Sequence, residues 1–377
     1  MRKLKRYGLA ASLATLLALG LAGCGGNDSL PPKASISKVY VMGDSLADVG
    51  TFGFKFTVED PANANNSLIW TQVIANNLGL DGGAQCNFFA FNGTTFAPNT
   101  ATGCTNFAIG GGRIQVSAAL GGDASPQTVG SQLATRAAAG NYQTTDLLMI
   151  DGGGNDAADL VKSFLGVPNS LPIRDFLLQQ IAANVLDPLL AQGATGTAQA
   201  AGLYMTMLAD KLYTAIDTQA LSKGATKIAV LNIPDITLTP DFKLVLDGVK
   251  AANGEAASLQ LKATIQQWIG AFNAQLKSKV NGNPKIAHVD FNTDFTDEIS
   301  NYRSYSLTDV TTPVCTVVKS AAAGNFPCLS TELDNLPGKT AGWWKSYAFA
   351  DGFHPTPYGH QLLAASVSRA LARAGWL

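Results

Sequence analysis

Histidine is scarce in this 377-residue chain, which has three, at positions 288, 354 and 360. They form no ligand pair on one helical face, and the five cysteines include no CxxC, so the common zinc frameworks are missing. Charge is sparse too: 14% of residues are charged, the net charge is −1, and no basic patch suits a nucleic-acid partner. Past the first two dozen residues, no apolar run is long and uninterrupted enough to cross a bilayer. No repeat of 20–50 residues is visible, which removes solenoids and propellers.

What is present begins with an address. Arg2, Lys3, Lys5 and Arg6 precede an apolar stretch over 9–19, and Leu21-Ala22-Gly23-Cys24 closes it. That is the plan of a secretory signal and too short for a membrane span. Its end resembles the bacterial lipobox, which implies cleavage before Cys24 and acylation of that cysteine. Gly25, where an inner-membrane signal would have Asp, implies transport to the outer membrane of a diderm cell. Residues 1–23 are thus expected to be removed, 24–35 to form a flexible tether, and 36–377 to fold. Cleavage leaves 22 basic and 27 acidic residues, a net charge of −5. With Cys24 committed to the anchor, four cysteines allow three connectivities. Nearness in sequence favours Cys86–Cys104 and Cys315–Cys328, each closing a short loop.

Strand-like and helix-like runs then alternate. Short apolar runs at Lys38–Met42, 105–109, Asp146–Ile150, 227–232 and 285–290 read as buried strands. Helical spacing marks 68–78, 127–139, 252–280 and 358–374, the last with Thr356 as N-cap and Pro357 at its first position. Doubly apolar strands separated by helices predict a parallel sheet covered on both faces. The expected fold is a three-layer α/β/α domain of about five parallel strands in flavodoxin-like order. One oversized connection, 157–223, carries apolar residues at helical spacing and is expected to hold two or three helices. It serves either as a lid or pocket wall, or simply as cover for the sheet.

The polar and glycine-rich segments fall at the carboxyl ends of these strands, where such sheets bind ligands. They are Gly43-Asp44-Ser45-Leu46, 106–112, Gly153-Gly154-Asn155-Asp156 and Asp351-Gly352-Phe353-His354-Pro355. Acyl transfer needs a nucleophile, a base, a group orienting the base and donors for the oxyanion. Ser45 suits the first role, His354 the second and Asp351 the third. The Ser45 N–H, the Gly111 N–H and the Asn155 side-chain amide suit the last.

These residues resemble the SGNH/GDSL hydrolases, whose name records Ser, Gly, Asn and His in separate sequence blocks. Val41 to Asp48, Asn106 to Gly111, Gly153 to Asp156 and Asp351 to His354 match those blocks in order. The resemblance runs from about residue 36 to the end, and Asn232-Ile233-Pro234-Asp235 is similar to the family's linking segment. It implies a serine esterase or lipase that needs no metal or organic cofactor and acts on a lipid or other small ester. Gly111 aligns best with the family's glycine, with Gly110 one step away. An acyltransferase using the same site, or a silent domain that binds lipid or glycan, remains open, as does the oligomeric state.

Other features have plainer readings. Asp44 and Asp48 are expected to scaffold the turn, and Asp156 to cap a turn or helix beside Asn155. His288 reads as a core histidine, and His360 as a partly exposed or packing residue. Trp343 and Trp344 suit a pocket wall or simple packing equally. Gly152 to Ala157 satisfies G-x-G-x-x-A after a strand, but at the third strand and not the first, which makes a dinucleotide site a weak rival.

Overall fold

The computed structural model describes residues 35–377, apart from residue 81 and residues 320–324. The signal segment, Cys24 and all of the tether but Ser35 lie outside the described residues. Along the chain the strands are β1 (Lys38–Met42), β2 (Val58–Glu59), β3 (Phe89–Phe91), β4 (Phe96–Pro98), β5 (Asp146–Ile150), β6 (Ile228–Leu231), β7 (Ile286–Val289) and β8 (Cys328–Leu329). The first six helices are α1 (Trp70–Asn77), α2 (Val129–Ala138), α3 (Gly154–Leu165), α4 (Ile173–Leu177), α5 (Ala183–Leu190) and α6 (Gly193–Gln219). They are followed by α7 (Pro240–Asn253), α8 (Glu255–Val280), α9 (Phe291–Ser300), α10 (Ser330–Asp334) and α11 (Pro357–Arg373).

The central sheet is parallel, in the order β1-β5-β6-β7. Side chains alternate across it with the period of two that a pleated strand imposes. Tyr40, Met42, Leu148, Ile150, Ile228 and Val230 enter the core shared with α2, α6 and α8. On the other face α11 packs on β6 and β7, with α1 and α9 against it. This is the expected three-layer α/β/α arrangement. Its fifth member, residues 105–109, is reduced to isolated parallel bridges from Asn106 to Val41 and to Asn87. The Val41 N–H donates to Thr105 and the Phe107 N–H to Val41, which keeps the segment beside β1. The buried Asn106 side chain donates to the Ala47 carbonyl and accepts from the Ala108 N–H, so the chain bends toward its glycines instead of extending a ladder.

Most helices sit where the periodicity puts them. Thr356 caps α11, its hydroxyl accepting from the Gly359 N–H, and Pro357 opens that helix. The long helix expected over 252–280 is α8, cut off from α7 by Gly254, whose φ of +89° and ψ of 167° no helix accommodates. The 157–223 stretch contains the rest of α3 together with α4, α5 and α6. The apolar face of α6, with Tyr204, Met205 and Leu208, covers the sheet and packs against α8.

Disulfides join Cys86 to Cys104 and Cys315 to Cys328. The second fastens the small core of Val58, Val314, Leu333 and Trp344 beneath the last loop. Cys315→Ser with Cys328→Ser is expected to lower unfolding free energy by about 3 kcal/mol, the loop-entropy value for so short a loop. Urea denaturation checks it, and an unchanged midpoint would count against any structural role for the bridge.

Candidate active site

Ser45 lies on the tight turn leaving β1 and is only 5% exposed. The turn is held from several sides. Gln132 of α2, fully buried, accepts from the Gly43 N–H at 2.7 Å and donates to the Gly43 carbonyl at 3.0 Å. Asp44 Oδ1 accepts from the Leu46 N–H at 2.9 Å. Asp48 Oδ1 accepts from the Gly50 and Thr51 N–H groups at 2.8 Å, and its Oδ2 takes the Gly110 N–H at 2.7 Å. Both aspartates thus hold backbone, and Asp48 binds the Ser45 turn to the glycine loop. Burial pushes the Asp48 carboxyl up to about 6 despite these donors.

Beneath the turn is a residue that sequence patterning did not single out. Asp151 follows β5 directly and is buried. As a carboxylate it would have no donor at normal hydrogen-bonding geometry, yet it faces the buried Asp44 carboxyl. Burial, then the Asp44 charge, raise Asp151 well above the usual carboxylate range. The fit is close enough to dictate Gly43. A Cβ on that residue would lie 1.5 Å from Asp151 Oδ1. Gly43→Ala is therefore expected to cost about 3 kcal/mol, the upper end of ordinary overpacking, and to lower kcat by displacing the turn. Denaturant unfolding and ester turnover measure this, and a parent-like variant would mean that Asp151 can move aside freely.

The loop after Phe349 brings in the other two groups. Phe349 and Pro355 form an antiparallel bridge, and the Thr57 hydroxyl donates to the Pro355 carbonyl at 2.9 Å. His354 Nε2 lies 2.7 Å from Ser45 Oγ, across 309 residues of sequence. His354 Nδ1 lies 2.9 Å from each Asp351 carboxylate oxygen. Asp351 Oδ1 also accepts the N–H groups of Phe353 at 2.8 Å and His354 at 2.6 Å. Burial alone would raise Asp351, but the His354 ring and these donors outweigh it and hold the carboxyl below its usual value. An ionised Asp351 can only accept, so Nδ1 carries a proton and Nε2 of the neutral ring accepts from the Ser45 hydroxyl.

Burial would lower His354, but Asp351, and behind it Asp44 and Asp241, hold the ring above its ordinary 6.5. A base must be unprotonated, so the acid limb of kcat/KM is expected to have its midpoint above pH 6.5. The stability contributions have opposite signs. His354, raised in the fold, stabilises fully below pH 6.5 and loses that contribution as pH rises through its folded value. Asp351, lowered, stabilises above pH 3.8 and loses its contribution as pH falls through its folded value. A pH–rate profile with its acid midpoint at or below 6.5 would contradict this electrostatic account.

Several N–H groups of the expected oxyanion donors are left unused by the fold. Among the described residues the Ser45 and Gly111 N–H groups have no protein acceptor. Gly110, the alternative, has already given its N–H to Asp48. Gly111 has a φ of +73°, a conformation in which glycine avoids the strain of a Cβ. Asn155 Nδ2 donates one proton to the Gly112 carbonyl at 2.9 Å, which leaves its second N–H for another acceptor. Asp156 does not cap a turn or helix as expected. Its carboxylate accepts from the Ile114 and Gln115 N–H groups at 2.9 and 2.8 Å, because the glycine loop folds back over the start of α3.

Aromatic rings flank the histidine. Phe56 lies 5.1 Å from the His354 ring and Phe326 lies 5.6 Å from it, the latter edge-on. The alternating Phe52, Phe54 and Phe56 were the only trace of this wall in the sequence. Trp343 and Trp344 pack instead, donating to Leu333 and Asp334 beside the 315–328 bridge. His288 lies half-buried in β7, and burial lowers it. His360 is fully buried, and burial followed by the His354 charge brings it down to about 3. Of the glycines after β5, Gly153 serves packing, since a Cβ there would meet Ile233 at 2.6 Å. Among the described residues no group of three His, Cys, Asp or Glu side chains is arranged to hold a metal.

The arrangement can move a proton from a serine to an imidazole, hold the resulting imidazolium and stabilise an anion beside the serine. A search of curated proteins returns no match. The profile of the family described as GDSL-like Lipase/Acylhydrolase matches residues 39–367, from the first strand into the last helix. The chain belongs to the GDSL-like lipase/acylhydrolase family, a family of hydrolases acting on acyl esters.

Proposed function

We propose that this protein is a serine carboxylic-ester hydrolase working through an acyl-Ser45 intermediate. The 2.7 Å approach of His354 Nε2 to Ser45 Oγ carries this reading. Ser45 Oγ attacks the ester carbonyl while His354 takes its proton, and Asp351 holds the imidazolium. The oxyanion is received by the Ser45 and Gly111 N–H groups and the Asn155 amide, each worth about 3 kcal/mol in the transition state. The alkoxide leaves with the proton from His354. Water, activated by the same ring, then releases the acid from Ser45. Besides that water, these steps draw on the chain's own residues.

The substrate is a small or lipid ester, encountered outside the cytoplasm by an enzyme anchored through acylated Cys24, with the outer membrane as the destination. Incubating the full chain with p-nitrophenyl esters and digesting the quenched enzyme is expected to give an acyl adduct on the Ser45 peptide. An adduct on another residue, or turnover without one, would overturn the mechanism. Adding glycerol separates hydrolysis from transfer: free acid as the main product supports the hydrolase, and a glyceryl ester supports an acyltransferase. A folded chain that binds lipid or glycan yet turns over no ester would favour a silent binding domain.

A further inference from the structure

Two cavities adjoin the Ser45–His354 pair, and they differ in what they can hold. One, about 50 Å³, is lined by Asp44, Ser45, Leu231, Phe295, Phe349 and Phe353. It has room for a few waters or a two- to three-carbon acyl group. The other, about 410 Å³, is a groove between α3 and α7 with Asn155, Asp351 and His354 at its inner end. Its walls are mostly apolar, with Ala158, Val161 and Leu165 from α3, Phe242 and Val245 from α7, and Phe353 from the last loop, and its charged wall residues are Lys162 and Asp241.

We infer that the α3/α7 groove binds the acyl chain of the ester and measures chains of about ten to twelve carbons. This rests on the acyl-Ser45 reading. The ruler is α3. Asn155, Ala158, Lys162 and Leu165 recur at three- and four-residue steps, so they form one stripe along the helix. From Asn155 to Leu165 the helix rises about 15 Å. An extended alkyl chain advances about 1.3 Å per carbon, given ordinary bond lengths, so the stripe matches about ten to twelve carbons. The one cation on the stripe, Lys162, turns to Asp159 at 3.3 Å. At the outer end Leu165 is 37% and Val167 40% exposed, so a longer chain emerges into solvent and gains little more.

The geometry makes a graded prediction. Val245 lies about one turn along α7 from Phe242, whose ring is 6.1 Å from that of Phe353 on the last loop, whereas Leu165 ends α3. Val245 is half-buried at the edge of the core and Leu165 is exposed, and unfolding midpoints of both variants check that the fold is kept. The test is kcat/KM of the full chain on p-nitrophenyl esters from acetate to palmitate, beside Val245→Trp and Leu165→Trp. The parent is expected to peak at decanoate to dodecanoate. Val245→Trp is expected to lower the dodecanoate-to-butyrate ratio at least tenfold. Leu165→Trp is expected to lower the dodecanoate-to-hexanoate ratio while leaving hexanoate-to-butyrate as it was.

A readout independent of turnover uses Ser45→Ala protein, in which dodecanoate displaces a fluorescent fatty acid. Val245→Trp is expected to weaken that displacement at least tenfold. A parent profile that peaks at acetate, with ratios unmoved by either variant, would overturn the groove and favour the smaller cavity while the hydrolase stands. Dodecanoate bound and blocked by Val245→Trp, with no ester turned over, would support the groove and defeat the hydrolase reading. Neither turnover nor binding would overturn both.

Discussion

Ser45→Ala or His354→Ala is expected to reduce kcat for ester hydrolysis by about 10⁶, the cost known when one member of a nucleophile–base pair is removed. Ser45→Ala deletes one oxygen from a turn whose hydrogen bonds, to Gln132, Asp44 and Asp48, involve other residues. The fold should therefore survive, and the unfolding midpoint should stay near that of the parent. His354→Ala removes the base and the partner of Asp351, leaving that carboxylate with its two loop N–H donors. The double variant should be no worse than either single one, because the two groups act as a unit. A Ser45→Ala protein that keeps more than one part in a hundred of parental kcat would remove Ser45 from the mechanism. Additive losses in the double variant would mean that the 2.7 Å contact is not the path of the proton.

Asn155→Ala is expected to lower kcat by about 10²–10³ with KM little changed, because in the proposed mechanism the amide meets an anion that forms only on the way through the transition state. The same side chain donates to the Gly112 carbonyl, so a structural role must be separated from a catalytic one. Losing that bond alone costs about 1 kcal/mol of stability and would act on KM and kcat without preference. A loss under tenfold, or one confined to KM, would make Asn155 a residue that merely holds the glycine loop. Asn155→Asp sharpens the contrast. It can no longer donate to Gly112 and brings a negative charge toward the oxyanion, so it should be worse than alanine.

Much of this was legible in the sequence. Continuous apolar runs gave the strands, and β1, β5, β6 and β7 lie within or at most one residue inside them. Thr356 and Pro357 marked the start of α11 because capping chemistry is local. The segments carrying Ser45, Gly111, Asn155, Asp351 and His354 stood out as candidates because they fall at strand ends or before a helix, where this class of sheet gathers ligands. The fifth strand was less legible, since residues 105–109 have strand composition but Asn106 spends its side chain on the bend. The break at Gly254 was missed because one glycine does not disturb helical periodicity over so long a window.

Sequence by itself determined the elements, their alternation and the residue types that acyl chemistry requires, because those depend on local dihedral preference, side-chain period and functional-group chemistry. Only the tertiary structure decided which groups meet. It brought His354 to Ser45 across 309 positions, and it set Gln132 and Asp151 around Gly43. Gln132 is an ordinary polar residue of an amphipathic helix, and Asp151 an ordinary acid at a strand end, so neither carries a pattern of its own. Their roles arise from burial, which removes water and leaves each polar atom only the partners that packing supplies.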